Sequence, residues 1–477
     1  MRPASLAAGP VAVACLALAA CASTREVDTR LPAAYELPAG PPAGVVALDA
    51  WWTAFEDPQL TGLIDQALAA SPDARSAAAR LKEARAQRSG ALTAFLPQGN
   101  IRGAASRTEN EVVAGTVVNI PGFSSSGESE SRSANFDVTW EIDLFGRVFA
   151  ARRAANAEMA AARLDYEGTR ASLAASVADS YFQARGLAIQ LADARETVRI
   201  QESLAQIAQT RVERGIASRS DEDRVAGDLA QARAQAAGLE AELQAQRRTL
   251  LILVGRGIEP TTNLAVDAQV GAIPEVPASL PGELLTRRPD VRQAEAMLVS
   301  SLGRRDYARL AFLPTFKLAP GIGVQKTEQP GYSATIQSWT LGGNVTVPVL
   351  DIPRLLSELK VQNAKVEQAA IAYEKAVQVA YGEAENAMVQ LASDRRRVEL
   401  LDAGEDRAER AYEASRRGYA AGLTDLQTAL GAEQSWRAVR TQETGAQVQA
   451  LRRAVQTYKA LGGGWPLASA PNNKKAR

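Results

Sequence analysis

Histidine is absent from the 477-residue sequence, and cysteine occurs only twice, at Cys15 and Cys21. The absence of histidine excludes Ser-His and Cys-His catalytic arrangements and most zinc sites. Aromatic residues make up only 5% of the chain and the formal net charge is zero, so there is no basic excess to neutralise nucleic-acid phosphates. We therefore expect neither a metal site nor a nucleic-acid partner.

Long hydrophobic runs are also scarce. After residue 20 no stretch offers about 18 consecutive apolar residues, so a chain that spans a membrane must do so with strands. Residues 1–20 have the short apolar segment of a secretory signal. Leu18-Ala19-Ala20-Cys21 resembles the processing box of bacterial lipoproteins, in which Cys21 becomes the acylated first residue; a plain signal peptide cut nearby is the alternative. Ala22 after the cysteine favours the outer membrane over the inner membrane.

A repeated tetrapeptide indicates a duplicated architecture. Ala94-Phe95-Leu96-Pro97 returns as Ala311-Phe312-Leu313-Pro314 after 217 residues, and a Pro-Asp pair ahead of each copy shares that offset. Farther along the offset becomes 207, as between Gly215 and Gly422. Two constant offsets are what a duplication with one change of loop length would leave. The predicted domains are a signal peptide at 1–20, an extended N-terminal tether at 21–50, a first repeat at 51–255, a linker at 256–275, a second repeat at 276–463 and a flexible tail at 464–477.

Proline is missing between Pro121 and Pro260 and between Pro353 and Pro466. Both intervals are rich in Ala, Glu, Gln, Arg and Leu, which favour helix. A single helix over the first arm would be about 100 Å long at 1.5 Å per residue. Apolar residues recur on both arms in the 3-4 alternation of a coiled coil, and Gln246 on the returning arm is the one discordant position. We predict long antiparallel helical hairpins at 146–254 and 353–461.

The turn of each hairpin contains a glycine followed by a hydroxyl side chain. Gly215 and Gly422 fit the position after a helix C-terminus. Ser218 and Thr424 then fit the N-cap of the next helix, and Thr424 forms a capping box with Gln427. Each half of the chain therefore folds back on itself.

Two further segments alternate between apolar and polar residues, which is typical of membrane-barrel strands and also of half-buried soluble strands. The alternating segments lie at about 133–141 and 338–347. Partner strands are expected after the two repeated tetrapeptides, at about 100–106 and 315–324. Loops are expected between the members of each pair, at 108–132 and 325–337. Four strands cannot close a barrel, and an open sheet edge is not tolerated in lipid, so several chains must pool their strands.

Three motifs carry a family resemblance that covers nearly all of the mature chain. Trp140-Glu141-Ile142-Asp143-Leu144-Phe145-Gly146-Arg147 resembles the strand-to-helix signature of the outer-membrane factor family, the TolC-like exit ducts of efflux pumps. Leu284-Leu285-Thr286-Arg287-Arg288-Pro289-Asp290-Val291 and Trp51-Trp52-x-x-Phe55-x-Asp57-Pro58-x-Leu60 are similar to its NodT/OprM-like lipoprotein branch. The second strand-to-helix motif is degraded to Leu350-Asp351-Ile352-Pro353-Arg354, where proline suits the first turn of a helix.

The resemblance implies a fold that is mainly α with a small β part. Three chains would supply a 12-stranded outer-membrane barrel and a coiled-coil tunnel of twelve helices across the periplasm. The implied partners are a periplasmic adaptor (membrane fusion) protein, an inner-membrane pump of the resistance-nodulation-division class and outer-membrane lipid. Such a duct is passive, so we expect no catalytic residues and no cofactor.

Two other functional classes remain as alternatives. An enzyme is disfavoured because Asp/Glu pairs lie on predicted coiled-coil faces, and Gly462-Gly463-Gly464 lacks the lysine of a phosphate-binding loop. A periplasmic coiled-coil scaffold or adaptor lipoprotein without a barrel would have the helices but not the paired amphipathic strands.

The resemblance also implies where the working residues lie. The hairpin turns form the periplasmic tips, where an adaptor would dock, and the tip of the second half often carries inward carboxylates that gate the pore. Counted from Gly422, those positions fall on Thr428 and Gly431, which are uncharged, so we expect a narrow tip with only mild cation preference. The candidate docking residues are Arg214, Gly215, Ser218, Gly422 and Thr424, and the candidate gate residues are Asp221, Asp425 and Thr428.

Overall fold

The structure is a computed structural model that describes residues 28–36, 48–111, 113–114, 127–215, 218–276, 281–329, 331–421, 423–424 and 426–464. The chain forms two compact units that are each built from separated segments. The first unit contains Lys82–Ala161 and Ala294–Tyr373. The second contains Asp28–Leu81, Ala162–Gln293 and Glu374–Arg477.

Most of the described chain is helical. The helices are α1 (Pro58–Ala70), α2 (Pro72–Thr93), α3 (Arg147–Glu213), α4 (Arg219–Leu253), α5 (Leu284–Arg287), α6 (Pro289–Leu310), α7 (Ile352–Ala420) and α8 (Leu426–Ala460). Short 3-10 helices lie at Leu48–Phe55, Thr261–Asn263 and Pro281–Glu283. The first of these begins inside the predicted tether and continues into the predicted first repeat, because Leu48, Trp51 and Trp52 are buried there. None of the described helices combines the length and apolarity needed to cross a membrane.

Four antiparallel strands in sequence order form the sheet of the first unit. They are β1 (Gln98–Asn110), β2 (Gly127–Ile142), β3 (Thr315–Gln329) and β4 (Tyr332–Thr346). The β1–β2 and β3–β4 pairs are equivalent in the two halves. The segment between β1 and β2 spans residues 111–126, whereas that between β3 and β4 spans only 330–331, so the extra length of the first half lies between its two strands. The predicted fold class, mainly helical with a small sheet, is confirmed.

The strands are longer than the sequence predicted, and the predicted loops were wrong at their ends. Strand β3 continues to Gln329 and β4 begins at Tyr332, so 325–337 is mostly hairpin. Likewise β1 reaches Asn110 and β2 begins at Gly127. The apolar alternation ends where the side chains on both faces become polar. The backbone hydrogen bonds of the ladder continue past that point.

The helices of the first hairpin pack through the predicted seam. Leu173, Val177 and Tyr181 of α3 are buried, as is Leu243 of α4. Gln246, the discordant position, donates from Nε2 to Ser180 Oγ at 2.7 Å and to the Ser180 carbonyl at 3.2 Å. The polar side chain is therefore satisfied inside the seam rather than exposed.

The core of the second unit is aromatic at its centre. Trp51 stacks on Tyr458, with ring centroids 5.8 Å apart, and Phe55 packs against Phe182 at 5.0 Å. Leucines of α3, α4 and α8 complete this cluster. The 3-10 helix that precedes α1 thus packs against the middle of α3 and the C-terminal ends of α4 and α8.

Candidate functional site

One face of the sheet is apolar and largely exposed. The register aligns Phe136 with Ile322 and Ile322 with Trp339, so apolar residues run across the strands. Ile101 is 83% exposed, Trp339 80% and Leu341 66%. A contiguous exposed apolar surface of this kind marks contact with a membrane or another protein.

The opposite face is polar. Strand β2 places Asn135, Asp137 and Glu141 there, and Lys317 of β3 pairs with Glu141 in the register. Gly321 and Gly323 lie opposite these side chains, and a Cβ at Gly323 would collide with Asn135 Oδ1. The sheet therefore separates an apolar side from a hydrated side.

Asp143 controls the change from β2 to α3. Its Oδ1 accepts the backbone N–H groups of Gly146 and Arg147 at 2.8 and 2.9 Å, and its Oδ2 accepts that of Val148 at 2.8 Å. Burial would raise the pKa of the Asp143 carboxyl, but these backbone donors outweigh it and lower the pKa below its ordinary value. Gly146 has φ +87°, which favours glycine. These contacts explain the Asp-Leu-Phe-Gly-Arg motif.

The arginine of the same motif ties α3 to the sheet and to α6. Arg147 donates to Glu141 Oε1 at 3.1 Å and to the Tyr307 hydroxyl at 2.9 Å. In the second half, Arg354 pairs with Asp351 at 3.5 Å, and both side chains are exposed. Among the described residues, the degraded motif therefore has a local ion pair in place of the long-range contacts of Arg147.

The Trp-Trp motif ends in an aspartate that caps α1. Asp57 Oδ1 accepts the backbone N–H groups of Gln59 and Leu60 at 2.9 and 3.1 Å. Its other oxygen accepts the Tyr181 hydroxyl at 2.8 Å and forms an ion pair with Arg185. Burial and the hydrogen bond to Asp57 both raise the pKa of Tyr181. The motif therefore anchors the N-terminal helix on α3.

The Arg-Arg-Pro-Asp motif joins the end of α8 to the start of α6. Arg288, with only 8% of its side chain exposed, donates to Asp290 and Glu383 at 2.6 Å each and to the Ala460 carbonyl at 3.1 Å. A cation at the C-terminus of α8 and an anion in the first turn of α6 both complement the helix dipoles. The equivalent position in the first half is Ser71, so this contact is specific to the second half.

Ion pairs also connect the second hairpin to the first. Arg452 of α8 donates to both carboxylate oxygens of Asp179 on α3, at 2.7 and 3.1 Å. Arg440, also on α8, pairs with Asp193 of α3 at 3.0 Å, and its guanidinium lies 5.5 Å over the Trp436 ring. These residues were not predicted from the sequence, because their partners lie more than 200 positions away and no local pattern connects them.

The structure describes only part of the predicted tips. Arg214, Gly215 and Ser218 are exposed, and Gly215 has φ +72° at the end of α3, as expected for a residue that ends a helix. Thr424 is exposed, but α8 begins at Leu426 and Thr424 Oγ1 donates to the Ser415 carbonyl at 3.3 Å. The N-cap predicted for Thr424 is therefore wrong, because its hydroxyl bonds back to α7. Gly422 lies outside the described residues.

The structure also describes only some of the predicted gate residues, and it does not describe the lipidation site. Thr428 is exposed on α8. Asp221 lies in the first turn of α4, and its side chain is outside the described part, as are Asp425 and Cys21 altogether. Within the described ranges, no group of three or more His, Cys, Asp or Glu side chains is arranged to hold a metal ion.

Comparison with known proteins identifies the fold and the family. The profile of the outer membrane efflux protein family matches residues 63–256 and 280–463. The pyoverdine export outer membrane protein OpmQ of Pseudomonas putida is 29% identical over 445 residues, which cover 92% of this chain and 93% of that protein. The solved outer-membrane channel OprN superposes with a TM-score of 0.79 at 28% identity, over 93% of this chain and all of OprN.

The open state of the Neisseria gonorrhoeae MtrE outer-membrane channel shares the fold, with a TM-score of 0.80 at 23% identity over 93% of this chain and 98% of MtrE. The family match spans both halves of the chain and includes all four strands and the four long helices. The chain belongs to the outer membrane efflux protein family.

Proposed function

We propose that this outer-membrane efflux channel works as a homotrimer. Three copies pool their strands into a 12-stranded barrel and their hairpins into a periplasmic tunnel. The observation that carries the proposal is the four-stranded sheet, which has one exposed apolar face and two open edges. A sheet of this kind is stable in lipid only when its edges are paired by other copies.

The proposed partners are a periplasmic adaptor and an inner-membrane pump of the resistance-nodulation-division class. The pump supplies the energy, and the duct carries small molecules to the outside. The exposed hairpin turns at Arg214 and Thr424 are the proposed docking sites. The polar face of the sheet supports a hydrated pore, in which solvated side chains select little among cargoes.

We further propose that Cys21 carries lipid in the outer membrane. The barrel would hold the protein there even without the acyl chains, since insertion of strands is a stronger anchor than lipidation. A Cys21→Ser variant is therefore expected to remain membrane-inserted, although at reduced abundance.

Cell fractionation tests both statements. The expected result is a heat-modifiable trimer in the outer-membrane fraction for the native chain and for Cys21→Ser, together with increased sensitivity to toxic compounds in a deletion strain. Complete release of Cys21→Ser to the periplasm as a monomer would contradict the barrel and favour a coiled-coil scaffold lipoprotein.

A further inference from the structure

The apolar face of the sheet continues into the first turn of α3. Phe145 lies with its ring 6.3 Å from that of Phe316, which belongs to the apolar face. Leu144 is 60% exposed and Phe149 75%. Apolar side chains therefore extend beyond the strands, onto a helix whose next turn is charged.

Two arginines lie one turn along α3 from Phe149. Arg152 and Arg153 follow it at spacings of three and four residues, which places them on the same side of the helix. With Phe149, Asn156 and Val299 they line an open groove of about 460 Å³.

The groove has spare positive charge. Arg152 is exposed, and no carboxylate of the described chain pairs with it. Arg153 reaches Asp306 at 3.5 Å, but Asp306 also accepts from Arg305 at 3.1 Å. One carboxylate thus serves two arginines, and a further anion would find unpaired donors here.

The charge excess extends around the helix ends of this unit. The segments 82–93, 143–158, 304–309 and 351–360 together contain eleven basic and six acidic residues. The whole chain balances 54 Lys and Arg against 54 Asp and Glu. A local excess of basic residues beside an exposed apolar face suits contact with a bilayer interface, which is apolar toward the acyl chains and anionic at the headgroups.

We propose that this groove binds an anionic phospholipid. The phosphate lies against Arg152 and Arg153, and an acyl chain follows Phe149 toward the apolar face of the sheet. The inference rests on the proposed insertion of the sheet in a bilayer. A zwitterionic lipid of the same length fills the apolar part equally well but offers no net charge to the arginines.

Native mass spectrometry tests the proposal. The full-length protein is reconstituted in nanodiscs of equal parts phosphatidylglycerol and phosphatidylcholine, extracted in detergent, and its retained lipids are counted. The native chain is expected to retain phosphatidylglycerol preferentially. The R152Q/R153Q variant is expected to lose that preference by about fivefold or more, since each basic residue near an anionic surface contributes severalfold.

Two control variants separate charge from folding. Arg152→Lys with Arg153→Lys keeps the charge and is expected to restore most of the preference. Arg163→Gln, farther along α3, where Arg163 pairs with Glu167 at 3.0 Å, is expected to behave like the native chain.

The outcomes also separate this proposal from the function on which it rests. Equal phosphatidylglycerol retention in the native and R152Q/R153Q proteins, both inserted as trimers, would overturn the lipid site alone. Loss of the trimer in R152Q/R153Q without a change in lipid preference would mean that a second copy of the chain covers the groove. Failure of the native chain to enter any bilayer would overturn both proposals.

Discussion

Arg288 donates to Glu383 at 2.6 Å, from a buried guanidinium to a carboxylate that is half exposed. Burial opposes the charge on Arg288, but the hydrogen bonds that its guanidinium donates to Asp290 and Glu383 outweigh burial and raise the pKa of Arg288. Three elements, α6, α7 and the end of α8, therefore meet on one side chain.

Replacing this arginine is expected to loosen that junction. Arg288→Met keeps the aliphatic packing but leaves Asp290 and Glu383 without their donor, and we expect the free energy of unfolding to fall by about 2 kcal/mol. Thermal unfolding in detergent measures the change. Arg287→Met is the matched control, because Arg287 reaches Glu283 only at 3.9 Å. Equal effects of the two variants would contradict the role assigned to Arg288.

Gly303 of α6 packs tightly against Ala154 of α3 in the first unit. A Cβ at this position would lie 2.8 Å from the backbone nitrogen of Ala154, so Gly303→Ala is expected to destabilise the protein by about 1–3 kcal/mol through overpacking. Gly382→Ala, where nothing lies within 4 Å of the added Cβ, should instead stabilise α7 by up to about 1 kcal/mol. A shift of the unfolding midpoint in the same direction for both variants would contradict overpacking at Gly303.

Glu443 on α8 is expected to make stability depend on pH. Burial raises the pKa of its carboxyl, Glu405 and Asp402 raise it further, and Arg440 lowers it. The folded protein therefore binds this proton more tightly than the unfolded chain, so the stability contribution of Glu443 falls as pH rises above the ordinary value for glutamate.

Glu443→Gln is expected to be more stable than the native chain near pH 8, with a difference that shrinks toward about pH 5. Asp143 and Asp290 have lowered pKa values, so their contributions are lost only at lower pH and stay constant over this range. Unfolding midpoints measured across the range provide the test, with the exposed Glu399→Gln as control. A constant difference between Glu443→Gln and the native chain would contradict the titration.

The exposed turn between α3 and α4 is expected to be an adaptor contact. Arg214→Glu or Ser218→Glu should abolish efflux without lowering the trimer level, whereas Lys375→Glu, an exposed reversal within α7, should leave drug resistance unchanged. Gly215→Ala separates docking from capping. Because φ +72° disfavours alanine, this variant should lower the stability of the protein, whereas a variant that disturbs docking should lower efflux at unchanged stability. Native drug resistance in Arg214→Glu would count against docking at this turn.

The gate is expected to be only mildly cation-selective. The family resemblance places inward carboxylates, which would attract cations strongly in a narrow constriction, at the positions of Thr428 and Gly431. Both residues are uncharged, so closure is expected to depend on helix packing and polar contacts. Single-channel recordings in planar bilayers would compare the native chain with Asp221→Asn and Asp425→Asn. Strong selectivity that disappears in Asp425→Asn would mean that Asp425 faces the pore.

The long helices, the apolar faces of the strands and the internal duplication could all be predicted from the amino-acid sequence. Missing proline and helix-favouring composition fixed α3, α4, α7 and α8, because helix formation depends on residues within one or two turns. Period-2 alternation fixed which side of β2 and β4 is apolar. These features are local, so no long-range contact was needed to predict them.

The strand lengths and the ion-pair partners could not be predicted in this way, because they depend on contacts between distant parts of the chain. The β3–β4 ladder continues through polar residues because backbone hydrogen bonds do not require apolar side chains. Arg452 pairs with Asp179, which lies 273 positions away in the sequence, and Arg288 pairs with Glu383, which lies 95 positions away. Thr424 donates to the Ser415 carbonyl of α7 and does not cap α8, because the packing of the two helices places that acceptor within hydrogen-bond distance. Pairings of this kind depend on which helix faces meet, and the sequence pattern of a single helix does not specify that.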